Sequence, residues 1–182
     1  NLVELQLRGA SGVTGDGLES LLGLKNLESL ELWGGSFQDE QLAKLGALTK
    51  LRKLEVEDTR LKDPGMAAWK DLVNIEELSL DRTLVGNEGF ASVKGMTGLK
   101  KLLLRDTLVT DPGLENLVGH QKLVELDLSE GIFGDDGVQH LSGLTNLEEL
   151  GLWSTSTSDT GLAALVKLTK IKRLNLDNTR IS

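Results

Sequence analysis

The chain has 182 residues, 39% of them hydrophobic and 26% charged, with 28 Asp and Glu against 20 Lys and Arg and a formal net charge of -8. That acidic balance opposes a general affinity for phosphate backbones, so nucleic acid is not an expected partner, and no run approaches the roughly 18 apolar residues that cross a bilayer, so neither is a membrane. Cysteine is absent, which excludes a disulfide framework and thiolate-held zinc while leaving the compartment undetermined.

An apolar triplet, L-x-x-L-x-L, opens the chain at Leu2-Leu5-Leu7. It returns at Leu27-Leu30-Leu32, Leu51-Leu54-Val56, Ile75-Leu78-Leu80, Leu99-Leu102-Leu104, Leu123-Leu126-Leu128, Leu147-Leu150-Leu152 and Ile171-Leu174-Leu176. The step from Leu2 to Leu27 is 25 residues, and the six steps from Leu27 to Ile171 are 24 residues each. Such regularity marks a repeat architecture. Within each copy the alternation predicts a strand with one buried face, and strands of successive copies should pair side by side.

Three residues after the triplet comes a polar column, Thr59, Thr83, Thr107, Thr155 and Thr179, replaced by Gly35 and Gly131. Here the chain must leave the sheet, and a hydroxyl can bond the turn backbone. An apolar column follows (Val13, Phe37, Leu61, Val85, Val109, Phe133, with Thr157 as the exception), and two positions later stand Asp39, Asp63, Asn87, Asp111, Asp135 and Asp159. These short polar residues read as helix N-caps, with Pro64 and Pro112 next to them where a missing N–H costs nothing. The predicted helix buries residues such as Val138-Leu141-Leu144 or Leu162-Leu165-Leu168, and a link such as Thr145-Asn146 returns to the next strand.

No copy can bury its own apolar face, so the copies must stack, with closely spaced strands inside and helices outside, into a curved solenoid. The run from Leu99 to Leu114, L-x-x-L-x-L-x-x-T-x-V-T-D-x-G-L, resembles the leucine-rich-repeat family, and the resemblance covers the whole chain. The segment Thr110-Asp111-Pro112-Gly113-Leu114 is similar to the helix-bearing cysteine-containing subclass and to bacterial repeat proteins, with Thr where that pattern has Cys or Asn. The resemblance implies an α/β fold, a right-handed solenoid of about 7.5 repeats with a curved parallel sheet on the concave side and helices on the convex side. It also implies a scaffold that recognises protein on its concave face, not an enzyme. Asn1 and Ser182 fall inside the repeat pattern, so residues 1–182 are expected to be a single solenoid, uncapped at both ends and part of a longer chain. The alternative role is structural, with the open ends stacking on flanking repeats or end to end on another copy.

Three rows of side chains face solvent from the strands. The first, Glu4, Ser29, Lys53, Glu77, Lys101, Glu125, Glu149 and Arg173, alternates in sign over its middle four residues and reads as a charge ladder. Exposed pairs contribute only about 0–1 kcal/mol each, so register and solubility are its expected role. The second row contains Glu55 and Leu103, and the third contains Trp33, Glu57, Asp81, Arg105 and Trp153. The two tryptophans stand five repeats apart, about 24 Å at the usual strand spacing, and an exposed Trp is a common interface anchor.

Glu55, Glu57, Asp58, Glu77 and Asp81 gather into an acidic patch suited to a basic partner segment, with Arg82, Lys101 and Arg105 as the basic counterpart. Carboxylates standing in parallel on a sheet do not encircle a cation, so no metal site is expected. The candidate partner-binding set is therefore Trp33, Glu55, Glu57, Asp58, Asp81, Arg82, Leu103, Arg105 and Trp153, with no catalytic residue, metal or cofactor. Trp69 and His120 sit in columns otherwise filled by aliphatic residues and read as core. Asp136 and His140 read as a solvated helix face. No P-loop, GxGxxG or G-x-S-x-G motif occurs.

Overall fold

The structure, a computed structural model, describes residues 1–9 and 15–182. A strand forms at every triplet: β1 (Glu4–Arg8), β2 (Ser29–Trp33), β3 (Lys53–Glu57), β4 (Glu77–Ser79), β5 (Lys101–Leu103), β6 (Glu125–Asp127), β7 (Glu149–Gly151) and β8 (Arg173–Asn175). They form one open parallel sheet in chain order. Equivalent residues face each other, Leu30 with Leu54, Leu54 with Leu78 and Leu102 with Leu126, and these leucines are buried. A slip of one residue would turn each of them to solvent, which is why the register is strict. Val13, expected in the apolar column of the first copy, lies outside the described residues.

After each strand one residue enters the left-handed region: Gly9, Gly34, Asp58, Arg82, Asp106, Glu130, Ser154 and Asn178, with φ between 52° and 68°. That conformation costs an ordinary L-residue about 1–2 kcal/mol. Neighbouring copies hold it, because the N–H groups of Asp58, Arg82, Asp106, Glu130 and Ser154 each donate to a carbonyl of the next copy at 2.8–3.2 Å. Next, the hydroxyls of Thr83, Thr107, Thr155 and Thr179 donate to the carbonyls of Leu80, Leu104, Leu152 and Leu176 at 2.6–3.1 Å, as the polar column predicts. Where Gly replaces Thr, a Cβ would stand 2.7 Å (Gly35) or 2.1 Å (Gly131) from the ring of Phe37 or Phe133. Thr with an aliphatic partner and Gly with Phe are thus two ways of filling one volume.

The outer layer carries seven short helices among the described residues: α1 (Gly15–Leu21), α2 (Asp39–Ala43), α3 (Asp63–Ala67), α4 (Asn87–Phe90), α5 (Asp111–Leu114), α6 (Asp135–His140) and α7 (Asp159–Ala164). Several continue directly as 3₁₀ turns, as at Leu141–Gly143 and Leu165–Lys167. The strict three-residue spacing of Val138, Leu141 and Leu144, all buried, suits the three-residue period of a 3₁₀ turn better than the 3.6 of an α-helix.

The expected N-caps are corrected by the structure. Asp39, Asp63, Asn87, Asp111, Asp135 and Asp159 are the first helical residues, and the caps are Gln38, Lys62, Gly86, Thr110, Gly134 and Ser158. Each Asp or Asn side chain reaches across to the next copy and accepts an N–H there, from the caps Lys62, Gly86, Thr110, Gly134 and Ser158 and, for Asp159, from Ser182, at 2.6–3.2 Å. Asp39 and Asp135 also accept from Gly65 and Gly161 in the following first turn, at 3.0 Å. A column of residue types shows that an acceptor is present, but not that the orphan donors of the adjacent helix are the ones within reach. The glycine column has the same cause. A Cβ on Gly65, Gly89, Gly113, Gly137 or Gly161 would stand 2.3–2.6 Å from the Asp or Asn of the preceding copy.

The core is one continuous layer between sheet and helices. Trp69 is fully buried, and its Nε1–H donates to the Leu42 carbonyl at 3.0 Å. His120 is buried too, with Nδ1 3.2 Å from the Leu117 carbonyl oxygen and Nε2 3.1 Å from that of Val93. Among the described residues, no helix is long and apolar enough to cross a membrane.

Candidate functional site

Of the candidate set, Trp33, Glu55, Glu57 and Leu103 stand on the strands, where alternate residues point outward, and Asp58, Asp81, Arg82, Arg105 and Trp153 follow the strand ends toward the rim. At the sheet's β1 to β3 end Glu31 is only 2% exposed, because Arg8 covers it at 2.7 Å and Lys53 at 2.5 Å. Burial pushes the Glu31 carboxyl upward, but the hydrogen bonds from Lys53 and Arg8 outweigh it and hold the group below the usual carboxylate range. Lys53 also meets Glu55 at 3.0 Å. The first row is therefore a ladder only in part: Lys101 pairs with Glu125 at 2.8 Å and Arg173 with Glu149, whereas Lys53 turns away from Glu77, its partner in register. Two carboxylates, one of them shielded from water, outcompete a single exposed one.

Trp33 is 48% exposed. Its Nε1–H donates to Asp58, and Asp58 accepts a forked pair from Arg82 at 2.7 and 2.9 Å. The Arg82 guanidinium, helped by Trp33, holds the Asp58 carboxyl below its ordinary range. Both Asp58 and Arg82 are left-handed turn residues, so the bend itself brings these side chains together along the rim. Toward the other end, Trp153 is half-buried under the Arg105 guanidinium, 5.3 Å from the ring centre, within reach of a cation–π contact. Arg105 in turn donates to Glu130 at 2.6 Å. Each aromatic ring is thus positioned by a charged pair.

Between the two rings the acidic patch is smaller than expected. Glu55 is neutralised by Lys53 and Asp58 by Arg82. Glu57 accepts from the Ser79 hydroxyl at 2.8 Å, Asp81 from the Arg105 N–H at 2.9 Å and Asp127 from the Ser129 N–H at 2.9 Å. None of these three forms a salt bridge among the described residues. Leu103 lies between Ser79 and Asp127 in register and lends the centre an apolar, half-buried spot. Glu130, Glu31 and Asp127 shape the face but are not in the candidate set. Glu130 belongs to the left-handed column, two copies on from Arg82, and is placed there to pair with Arg105.

Burial, reinforced by the nearby charges of Glu57 and Asp127, pushes the Asp81 carboxyl up to about 6, against an opposing pull from the Arg105 N–H and the Arg82 charge. An acid with a raised folded pKa binds its proton more tightly when folded, so its ionised form costs stability near neutrality. That cost is relieved as the pH falls through about 6 toward 3.8. Asp81→Asn keeps an acceptor for Arg105 and removes the charge. The variant should melt higher than the parent near neutral pH, with the gap closing on acidification. Thermal melts across that range check this, and a gap independent of pH would contradict it.

No family model matches the sequence, and no curated protein matches it. Among solved structures, internalin C2 of Listeria monocytogenes superposes with a TM-score of 0.85 over 99% of this chain and 73% of its own, at 26% identity. The internalin inlF of the same organism superposes with a TM-score of 0.62 over 89% of this chain and 57% of its own, at 23% identity. The plant peptide hormone receptor RGFR1, solved in complex with RGF2, does so at 0.67 over the full length of this chain and 29% of its own, at 20% identity. With its triplet recurring every 24 residues from Leu27 to Ile171, its single parallel sheet and these structural likenesses, the chain is a leucine-rich-repeat solenoid.

Proposed function

We propose that this solenoid is a protein-binding scaffold whose strand face takes an extended partner segment, anchored at Trp33 and Trp153, with basic side chains over Glu57, Asp81 and Asp127. The observation that carries this reading is the placement of the two indoles. Both are accessible on a mainly polar face, and both are held in position, Trp33 by Asp58 and Trp153 by Arg105. An aromatic side chain ordered before binding loses little entropy on contact, which is what makes Trp and Arg effective anchors. A plant peptide hormone receptor of the same fold, solved in complex with RGF2, supports a binding role in general. Both histidines belong to the helix layer, His120 buried and His140 in α6, so neither serves chemistry on this face.

The test is alanine replacement of both rings. Each anchor should contribute about 2 kcal/mol or more, roughly thirtyfold in affinity. Isothermal titration of the Trp33→Ala/Trp153→Ala protein against partners captured by the parent should therefore show near loss of binding. Unchanged affinity would overturn the strand-face site.

A further inference from the structure

A second row of side chains, off the strand face, departs from what the fold requires. The residue after the Thr column is Ser36, Arg60, Leu84, Leu108, Ile132, Ser156 and Arg180. In three consecutive copies it is aliphatic and open to solvent, 45% for Leu84, 50% for Leu108 and 61% for Ile132. The backbone is already paired at this position. Leu84 and Leu108 donate to the carbonyls of Leu61 and Val85, and Ser156 and Arg180 donate in the same way to Phe133 and Thr157, all at 2.8–2.9 Å. Serine and arginine therefore satisfy the fold here, and packing does not account for three aliphatic side chains. Scattered exposed leucines are ordinary, but a contiguous row marks a contact surface.

The surroundings define the partner. Beside Leu84 and Leu108 lies a shallow depression completed by Lys62, Asp63, Pro64 and Glu88. Glu88 and Asp136 hold equivalent places in the first turns of α4 and α6, and Asp106 holds the left-handed position just ahead of Leu108. All three carboxylates are exposed, and none has a hydrogen bond or ion pair among the described residues. They bracket the row from the helix side and from the rim, with Arg60 and Lys62 at its β3 end. The parallel bridges Lys62 to Leu84 and Thr110 to Ile132 join a row residue to the position two residues further on in the preceding copy, so the backbone under the row is held by its neighbour. An aliphatic edge with cationic side chains on both flanks, the complement of a row bracketed in this way, is what an amphipathic helix presents.

We propose that the row of Leu84, Leu108 and Ile132 docks an amphipathic helix from another protein, with an aliphatic edge on the row and Lys or Arg on the helix flanks over Asp106, Glu88 and Asp136. The probe is a helical peptide with a Leu edge flanked by Lys, together with a sister peptide carrying Glu in place of Lys, each followed by fluorescence anisotropy. The Lys peptide should bind, more weakly as salt rises, and the Glu peptide at least about tenfold less tightly.

Leu84→Ser/Leu108→Ser/Ile132→Ser introduces a residue native to this row and should cost binding at least about tenfold, with circular dichroism checking the fold. Leu108→Ser alone provides a milder variant with a smaller loss. The Trp33→Ala/Trp153→Ala protein should bind the peptide as the parent does, which separates this row from the strand face. Equal affinity for both peptides, undiminished binding by the triple Ser protein, or no measurable binding at all would each overturn the proposal. So would a dimer of the parent that the triple Ser change dissolves, since the occupant would then be a second copy.

Discussion

Replacing Trp69 with Ala should lower the unfolding free energy by about 3–5 kcal/mol, the range for removing a large buried aromatic side chain. Two effects add. The ring occupies a fully buried site between helix layer and sheet, and its removal leaves a volume that closely packed neighbours cannot fill. The Leu42 carbonyl, which accepts the indole N–H at 3.0 Å, also loses its side-chain partner. That bond joins the copy containing Trp69 to the one before it, so the damage falls on an interface between copies, where a solenoid keeps its cooperativity.

Urea titration followed by far-UV circular dichroism measures the loss, and a broadened or split transition would report uncoupling of the flanking copies. Two further variants apportion it. Trp69→Leu restores the residue found in this column at Leu45, Leu117 and Leu141 and should recover part of the packing, while Trp69→Phe keeps an aromatic body and lacks the donor. A loss below about 1 kcal/mol for the Ala variant would show that the site collapses around the missing ring.

Gly137→Ala should destabilise the chain by about 1–3 kcal/mol, although Ala favours a helix over Gly by about 1 kcal/mol in the absence of contacts. The new Cβ would stand 2.4 Å from the Asp111 Oδ1 and 3.2 Å from the Asp111 Cα, and the carboxylate cannot retreat without releasing the Gly134 N–H it accepts at 2.8 Å. Removing that carboxylate removes the closest contact and leaves only the 3.2 Å approach to the Cα. Asp111→Ala alone should cost about 0.5–2 kcal/mol, as the loss of a cap does. Added to that background, Gly137→Ala should be nearly neutral or stabilising. The four proteins form a double-mutant cycle with an expected coupling of about 1–3 kcal/mol. Additive effects would mean that Asp111 and Gly137 do not constrain each other.

The strands and their register are legible in the sequence because a period of two leaves one choice of face, and Leu30, Leu54 and Leu102 make that choice in the same way. Trp69 and His120 are equally legible, since a residue in a column of buried leucines can hardly be elsewhere. The caps are legible in kind but not in address. Asp111 looks like an acceptor for its own helix, and only the stacking distance between copies shows that Gly134 is nearer. The helices are the reverse case, where the spacing of Val138, Leu141 and Leu144 already carries the three-residue period of the 3₁₀ turn Leu141–Gly143 into which α6 runs.

On the strand face, the rows place Trp33 and Trp153 correctly, yet the choice of ion pairs is not in the pattern. Lys53 has Glu31, Glu55 and Glu77 within the reach of a long flexible side chain, and Arg105 has Glu130 as well as Asp81 nearby. Exposed pairs differ by no more than about 1 kcal/mol, so small differences in shielding and rotamer decide, and those exist only once the copies are stacked.

The cross-copy cap has a consequence for how such a chain can change length. Each Asp or Asn serves the amide of its successor, and each successor offers the same amide beside the same glycine. A unit of 24 residues can therefore be duplicated or excised at any seam, and the acceptor on one side still meets a matching donor on the other. Growth by whole units is the cheap move, whereas a single inserted residue would break the chain of acceptors at that seam.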